Sequence, residues 1–401
     1  MRVQDLIGII AFASSATASP LTDAVWHRDI TALETAPAAS PDETELARGA
    51  ALALHHQDEP ALALLVGLAR SHPRDGLGAA ACLALSDIYL RQTRYRDAHD
   101  ALRCVQDASG EPLRGEPLQI LEDTAALAGE APMQLSRAAV GTIDVHRDHA
   151  GLMRVTVDIA GQATAAVIDS DASFSAVSQS MARRLGLRVL QPELAIVTTA
   201  RPDQPMHLAV ADQMHFGSAI LCNVVFVVLP DAAMRFSRDY RMEAVIGLPV
   251  LMALGRVAFD DDTGVLDYGR RETLPAGQSN LIVSGLDPFV LVTICDRTAR
   301  LALDTAADKT SLNASVRMAL PQTGKGRDFA WHGAGGEVVD RSAHRLDHWR
   351  FRIGDSPVTL HDVPVLSRSE DDRDGALGID ALKGARRWVL DFEAMRLIIV
   401  P

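Results

Sequence analysis

The chain has 401 residues, 48% of them hydrophobic, and carries a formal net charge of −13. That length suggests two or three domains, and the apolar content is enough for real cores. The acidic balance argues against nucleic acid or an anionic membrane as the main partner, because both need a basic surface.

At the start of the chain, Arg2 precedes an apolar run from Leu6 to Ala13 and a small-residue exit, Ala16-Thr17-Ala18. This order predicts a signal peptide over 1–18 and an exported product, periplasmic or secreted, although Asp5 is atypical. No later run is long and charge-free enough to span a bilayer. From Asp42 to Leu127 the chain is rich in Ala and Leu at spacings of three and four, which predicts a helical module over 40–130. A weak internal repeat runs through it. Gly49, Ala61, Leu65 and Pro73 mark one unit; Cys82, Leu85, Ser86, Tyr89, Ala98 and Leu102 mark the next. The stretch LSDIYLRQTRYRDAHDALR resembles the second half of a tetratricopeptide repeat, with a generic helical hairpin as the alternative. Paired helices of that kind present a face to peptides, so the module offers a place for a protein partner. The four cysteines, Cys82, Cys104, Cys222 and Cys295, form no C-x-x-C. They read as buried core residues, with a Cys82–Cys104 bond as the alternative.

Gly129-Glu130-Ala131-Pro132 reads as a linker. Beyond it the period changes to two, as in MRVTVDIAG (Met153 to Gly161), which predicts strands. A second linker, Gly269 to Asn280, divides this β region into lobes over 137–270 and 280–401. The lobes repeat each other. Each has a strand, an apolar ramp into an Asp turn, a short helix and further strands. Each then has a two-hydrophobic-plus-Gly strand, and 78 positions separate Asp169 from Gly247 while 74 separate Asp304 from Gly378.

Two motif pairs carry a family resemblance. One is Asp169-Ser170-Asp171-Ala172 with Asp304-Thr305-Ala306-Ala307; the other is Val245-Ile246-Gly247 with Ala376-Leu377-Gly378. On these residues, from Gly141 to Pro401, each half resembles a retropepsin-like lobe and the tandem resembles the bilobed aspartic proteases. The predicted fold class is therefore multidomain α plus β: a tetratricopeptide-like helical module, then two mostly-β acid-protease-like lobes. The resemblance implies a catalytic dyad of Asp169 and Asp304 and bracing hydroxyls on Ser170 and Thr305. It also implies a peptide or protein substrate, and neither cofactor nor metal because the nucleophile is water. The chemistry agrees: like charges brought together at a buried junction share a proton, so one carboxyl can activate water while the other polarises a carbonyl. The family also closes hairpin flaps over its substrate. WHGAGGEVVD suits this in the second lobe, with Trp331 and the glycines Gly333, Gly335 and Gly336; Val197 to Leu208, turning at Arg201-Pro202-Asp203, suits it in the first.

The sequence departs from the family at the third position of each turn, where Asp171 and Ala306 stand in place of Gly. That departure leaves a second reading open, a catalytically impaired pseudo-protease that holds extended peptides or a partner protein in its cleft. Other motifs carry less. His344 and His348 are four apart but in a strand-like segment without an accompanying Glu. HGAGG has no G-x-S-x-G elbow elsewhere in the chain, and TGKGR lacks P-loop spacing. AFDDDTGVLDYG lacks the later ligands of a calcium loop and reads as strand, acidic turn, strand.

Overall fold

The structure, a computed structural model, describes residues 19–137, 140–196, 198, 203–237, 239–269, 274, 276–294, 297–320, 328–367 and 373–400. The proposed leader over 1–18, Cys295, Arg201, Pro202 and the TGKGR stretch lie outside the described residues. The chain divides into two compact units at Pro132/Met133.

The first unit is helical: α1 (Pro20–Trp26), α2 (Ile30–Thr35), α3 (Pro41–Leu54), α4 (Asp58–Ser71), α5 (Gly76–Arg91), α6 (Tyr95–Ser109) and α7 (Glu116–Leu127). Four of the seven helix starts, those of α1, α2, α3 and α5, carry side-chain caps. Ser40 accepts the Glu43 N–H at 3.2 Å while Glu43 reaches back to the Ala39 N–H, a reciprocal cap; Asp75 accepts the N–H groups of Leu77 and Gly78. Helix α5 is buried nearly all round, which explains its concentration of Ala and Leu. Cys82 and Cys104 are not separate core residues but form a disulfide between α5 and α6. Their spacing of 22 residues does not reveal that the two helices face each other there. Helices α1 and α2, seven and six residues long, precede the periodic stretch and are too short to show a period of their own.

The second unit holds both lobes. The first comprises β1 (Gln134–Arg137), β2 (Gly141–Arg147), β3 (Met153–Ile159), β4 (Gln162–Ile168), β5 (Ser175–Ser178), α8 (Gln179–Leu185), β6 (Arg188–Val189) and β7 (Leu194–Ile196). It continues through β8 (Gln204–Phe216), β9 (Ala219–Leu229), β10 (Ala244–Ile246), α9 (Leu248–Ala253), β11 (Arg256–Asp260) and β12 (Val265–Tyr268). The second comprises β13 (Leu281–Ser284), β14 (Asp287–Ile294), β15 (Arg297–Leu303), β16 (Ser311–Leu312), a 3-10 turn at Ala314–Ala319, β17 (Phe329–Gly333) and β18 (Gly336–Asp340). It ends with β19 (His344–Ile353), β20 (Ser356–Val365), β21 (Gly375–Leu377), β22 (Arg387–Asp391) and β23 (Arg396–Val400).

Alternation sets the faces. In β3, Met153, Val155, Val157 and Ile159 point into the core, with intermediate or exposed residues between them. In both lobes the strand that ends in Asp lies parallel to a short later strand: Ile168 pairs with Ile246, and Leu303 with Leu377. The lobes also share a sheet. Strand β22 pairs antiparallel with β11, placing Ala258 opposite Val389, Arg256 opposite Asp391 and Asp260 opposite Arg387. This mirrored register is that of two equivalent edges meeting about a twofold. Phe259 stacks on Trp388 at 3.9 Å across the seam, and both are buried. One hydrophobic core runs through both lobes.

Candidate active site

Each lobe drives a buried ramp into a carboxylate. Ala166, Val167 and Ile168 lead to Asp169, and Leu301, Ala302 and Leu303 lead to Asp304. The chain is pinned at that point by the parallel neighbour: the Asp169 N–H donates to the Ile246 carbonyl and the Asp304 N–H to the Leu377 carbonyl, each at 3.0 Å. The turn then folds back on its own carboxylate. The Asp171 N–H donates to Asp169 Oδ1 at 3.0 Å, and the Ala306 N–H to Asp304 Oδ1 at 2.9 Å.

The glycine strands close over these turns. The Leu248 N–H bonds the Ala172 carbonyl and the Ile379 N–H bonds the Ala307 carbonyl, each at 2.9 Å. A Cβ on Gly247 would lie 2.6 Å from the Ala172 carbonyl oxygen, and one on Gly378 would lie 2.6 Å from the Lys309 carbonyl carbon. Only glycine lets the backbones approach so closely. Six residues after each Asp a hydroxyl takes the glycine N–H: Ser175 Oγ from Gly247 at 3.1 Å, and Thr310 Oγ1 from Gly378 at 3.0 Å. These two hydroxyls are not singled out by sequence reasoning. Their common offset from Asp169 and Asp304 is the signal that finds them.

The two turns meet at the lobe junction through a reciprocal exchange. Ser170 Oγ donates to the Leu303 carbonyl at 2.5 Å and accepts the Thr305 N–H at 3.2 Å. Thr305 Oγ1 donates to the Ile168 carbonyl and accepts the Ser170 N–H, both at 3.0 Å. Both side chains are buried, so each bond is shielded from water. The carbonyls engaged belong to the residues just before the opposite Asp, which ties the two carboxyl-bearing backbones together.

Asp169 and Asp304 are crowded by protein on most sides yet keep part of their surface open to solvent. Burial pushes both carboxyls well above the usual range, Asp169 to about 7, with the Asp171 charge as the second cause. For Asp304 the second cause is the Asp169 charge, and Arg373 acts in the opposite direction. An acid raised by the charge of its neighbouring acid titrates with it as a pair. The N–H groups of the turns, which favour the ionised form, do not outweigh the burial.

Asp171, the departure from the family's glycine, is answered across the junction. Its Oδ2 lies 3.5 Å from Arg373 Nη1 of the second lobe. Arg373 carries no local signal in the sequence, since its partner lies in the other half of the chain. Ala306 makes the corresponding departure in the second lobe with one methyl and no charge.

The two hairpin candidates take different forms. In the first lobe β7 pairs with the start of β8, with Leu194 opposite Met206 and Ile196 opposite Gln204. Most of its turn lies outside the described residues. In the second, β17 and β18 form a separate two-stranded sheet that turns between Gly333 and Gly336. Gly335 sits at the tip with a positive φ of 92° and donates its N–H to the Ala233 carbonyl of the first lobe at 3.0 Å. Trp331 stacks on Phe329 at 5.5 Å along the hairpin. Elsewhere, His348 faces His361 across β19 and β20. Among the described residues no group of three or more His, Cys, Asp or Glu is arranged to hold a metal ion.

Residues 155–250 and 290–381 each match the family model described as aspartyl protease. Both lobes are similar to the aspartyl protease family. The paired match covers both Asp turns and both glycine strands of these aspartyl-protease-like lobes. One similar solved structure is a retropepsin-like aspartic protease from Rickettsia conorii, 15% identical, covering 33% of this chain and 93% of that one, with a TM-score of 0.25. A search of curated proteins finds no match.

Proposed function

We propose that this protein is an aspartic endopeptidase that hydrolyses peptide bonds with a water held between Asp169 and Asp304. The observation that carries the reading is the meeting of two carboxyl turns, one per lobe, across the Ser170–Thr305 hydroxyl exchange. Such a pair holds one proton at its working pH. The ionised member takes a proton from water as the water oxygen bonds to the carbonyl carbon. The protonated member gives its proton to the carbonyl oxygen, so a neutral diol forms and the pair still holds one proton. That proton then passes to the amide nitrogen, a diol hydroxyl returns one to the carboxylate, and the C–N bond breaks. Ser170 and Thr305 hold the geometry without touching the reacting atoms.

The substrate is an extended peptide or protein segment, bound as an added strand beside the hairpins, with Trp331 and the glycine tip of β17–β18 against it. The leader-like order of residues 1–18 and the Cys82–Cys104 bond both fit export to an oxidising compartment, periplasmic or extracellular. The helical unit, with its tetratricopeptide-like stretch, offers a surface for a protein partner. No helix among the described residues is long and apolar enough to cross a membrane.

The test is cleavage of a peptide library by the full chain from about pH 3 to 8, a span wide enough for a proton-sharing pair. Asp169→Asn and Asp304→Asn are run alongside. Cleavage that both substitutions abolish supports the reading. A folded sample that cuts nothing across the range, or cleavage that survives either substitution, overturns it.

A further inference from the structure

The pseudo-symmetry of the site is broken at one place. Counting back five positions from Gly247 and from Gly378, the lobe repeat equates Met242 with Arg373; counting two forward from each dyad Asp, it equates Ala306 with Asp171. One side of the junction therefore holds an ion pair where the other has an alanine and a buried methionine.

The pair has a direction. Asp171 belongs to the Asp169 turn, and its own N–H is bonded to Asp169 Oδ1. Arg373 lies two residues before β21, the strand that runs parallel to β15 and receives the Asp304 N–H at Leu377. The negative end thus sits with Asp169 and the positive end beside the strand that carries Asp304. The remaining charges near the two turns are engaged elsewhere or open to water. Glu243 pairs with Arg184 and Arg241, Asp374 with Arg297, and Asp380 accepts from the Thr310 hydroxyl and N–H. Asp308 and Lys309 are exposed on the turn after Asp304.

We propose that the Asp171–Arg373 pair decides which carboxyl of the dyad keeps the shared proton: Asp169 holds it and Asp304 carries the charge. Asp171 and Arg373 are positioning residues that act through the dyad. The consequence for catalysis rests on the peptidase reading. Asp304 then takes the proton from water, and Asp169 supplies the one that reaches the carbonyl oxygen. The substitution at the family's glycine position serves, on this view, to remove an ambiguity that a symmetric pair would have. Of the perturbations already described, the Asp171 charge raises Asp169 and Arg373 opposes the rise at Asp304; the Asp169 charge, which raises Asp304, is absent when Asp169 keeps the proton.

The experiment follows the side-chain carboxyl carbons of 13C-labelled aspartate by NMR titration of the full chain, with Asp169→Asn and Asp304→Asn assigning the two signals. The expected result is a higher apparent value for Asp169 than for Asp304. Asp171→Asn, which keeps the side-chain shape and the N–H, lowers Asp169 by about one unit, the low end of what one nearby charge does. Arg373→Gln raises Asp304 and narrows the gap from the other side; it carries the test alone if circular dichroism shows Asp171→Asn to be unfolded. Equal values, a reversed order, or a gap that neither substitution changes would overturn the inference. The outcomes separate the two claims. Peptide cleavage with a symmetric dyad sinks this inference and leaves the peptidase reading standing. A polarised dyad in a protein that cuts nothing does the reverse.

Discussion

Replacing Asp169 with asparagine should stabilise the fold relative to the native chain as the pH rises. In the unfolded chain Asp169 ionises near its ordinary value of about 4. In the folded protein burial and the Asp171 charge hold its proton up to about pH 7. Stability linked to that proton is complete below about pH 4 and is lost as the pH rises through the folded value. Three units at about 1.36 kcal/mol each would be on the order of 4 kcal/mol. The carboxyl keeps an open face to solvent, which relieves part of this, so about 2 kcal/mol is expected. Asparagine still accepts the N–H groups but does not ionise. The assay is urea unfolding at pH 4.5 and pH 7.5, read by tryptophan fluorescence, since Trp331, Trp349 and Trp388 all lie in the β unit. The stability difference, variant minus native, should grow by about 2 kcal/mol between the two pH values. A difference that stays flat, or that shrinks, would refute the claim that burial holds this carboxyl protonated.

Thr305→Val strips a hydroxyl that both donates to Ile168 and accepts from Ser170, leaving two buried backbone groups unpaired. It should cost about 2–4 kcal/mol in urea unfolding, whereas Thr305→Ser should cost less than about 1. Gly378→Ala places a methyl against Lys309 and Thr310 backbone atoms at 2.6–2.9 Å. The loop has to move, so unfolding should show a loss of about 1–3 kcal/mol. On the proposed peptidase reading, kcat should drop on the order of a hundredfold for a shift of the Asp304 turn by about 1 Å. Replacing Cys82 and Cys104 together by alanine opens a loop of 22 residues. The helical signal in circular dichroism should then melt with about 3 kcal/mol less stability.

The α-then-two-lobes architecture is legible in the sequence because the determinants are local. Apolar spacing changes from three-and-four to two after Pro132, and each apolar ramp stops at an Asp. The glycine strands are legible too, because a close backbone approach admits no other residue at 247 or 378. Asp171 stands out as a departure from the pattern, but its answer does not: Arg373 comes from the other lobe, and no single-residue signal links them. Facing relations are lost in the same way. Cys82 and Cys104 show their bond only once α5 and α6 are side by side. The β11–β22 pairing depends on a register between segments far apart in the chain, which periodicity within either one does not specify.

The shared sheet has a consequence for how the chain is made. Strand β11 pairs with β12 along one edge, but its other edge finds a partner only in residues 387–391, the last portion but one of the described chain. While the polypeptide is being synthesised, a finished first lobe therefore shows a bare strand edge, with Phe259 lacking the indole that stacks on it. Open edges of that kind recruit other strands, and the mirrored register around Ala258 means that the best available substitute is the same edge on a second nascent chain. Swift completion of the second lobe is then a protection against self-association, and slow synthesis between residues 260 and 390 is where aggregation would begin.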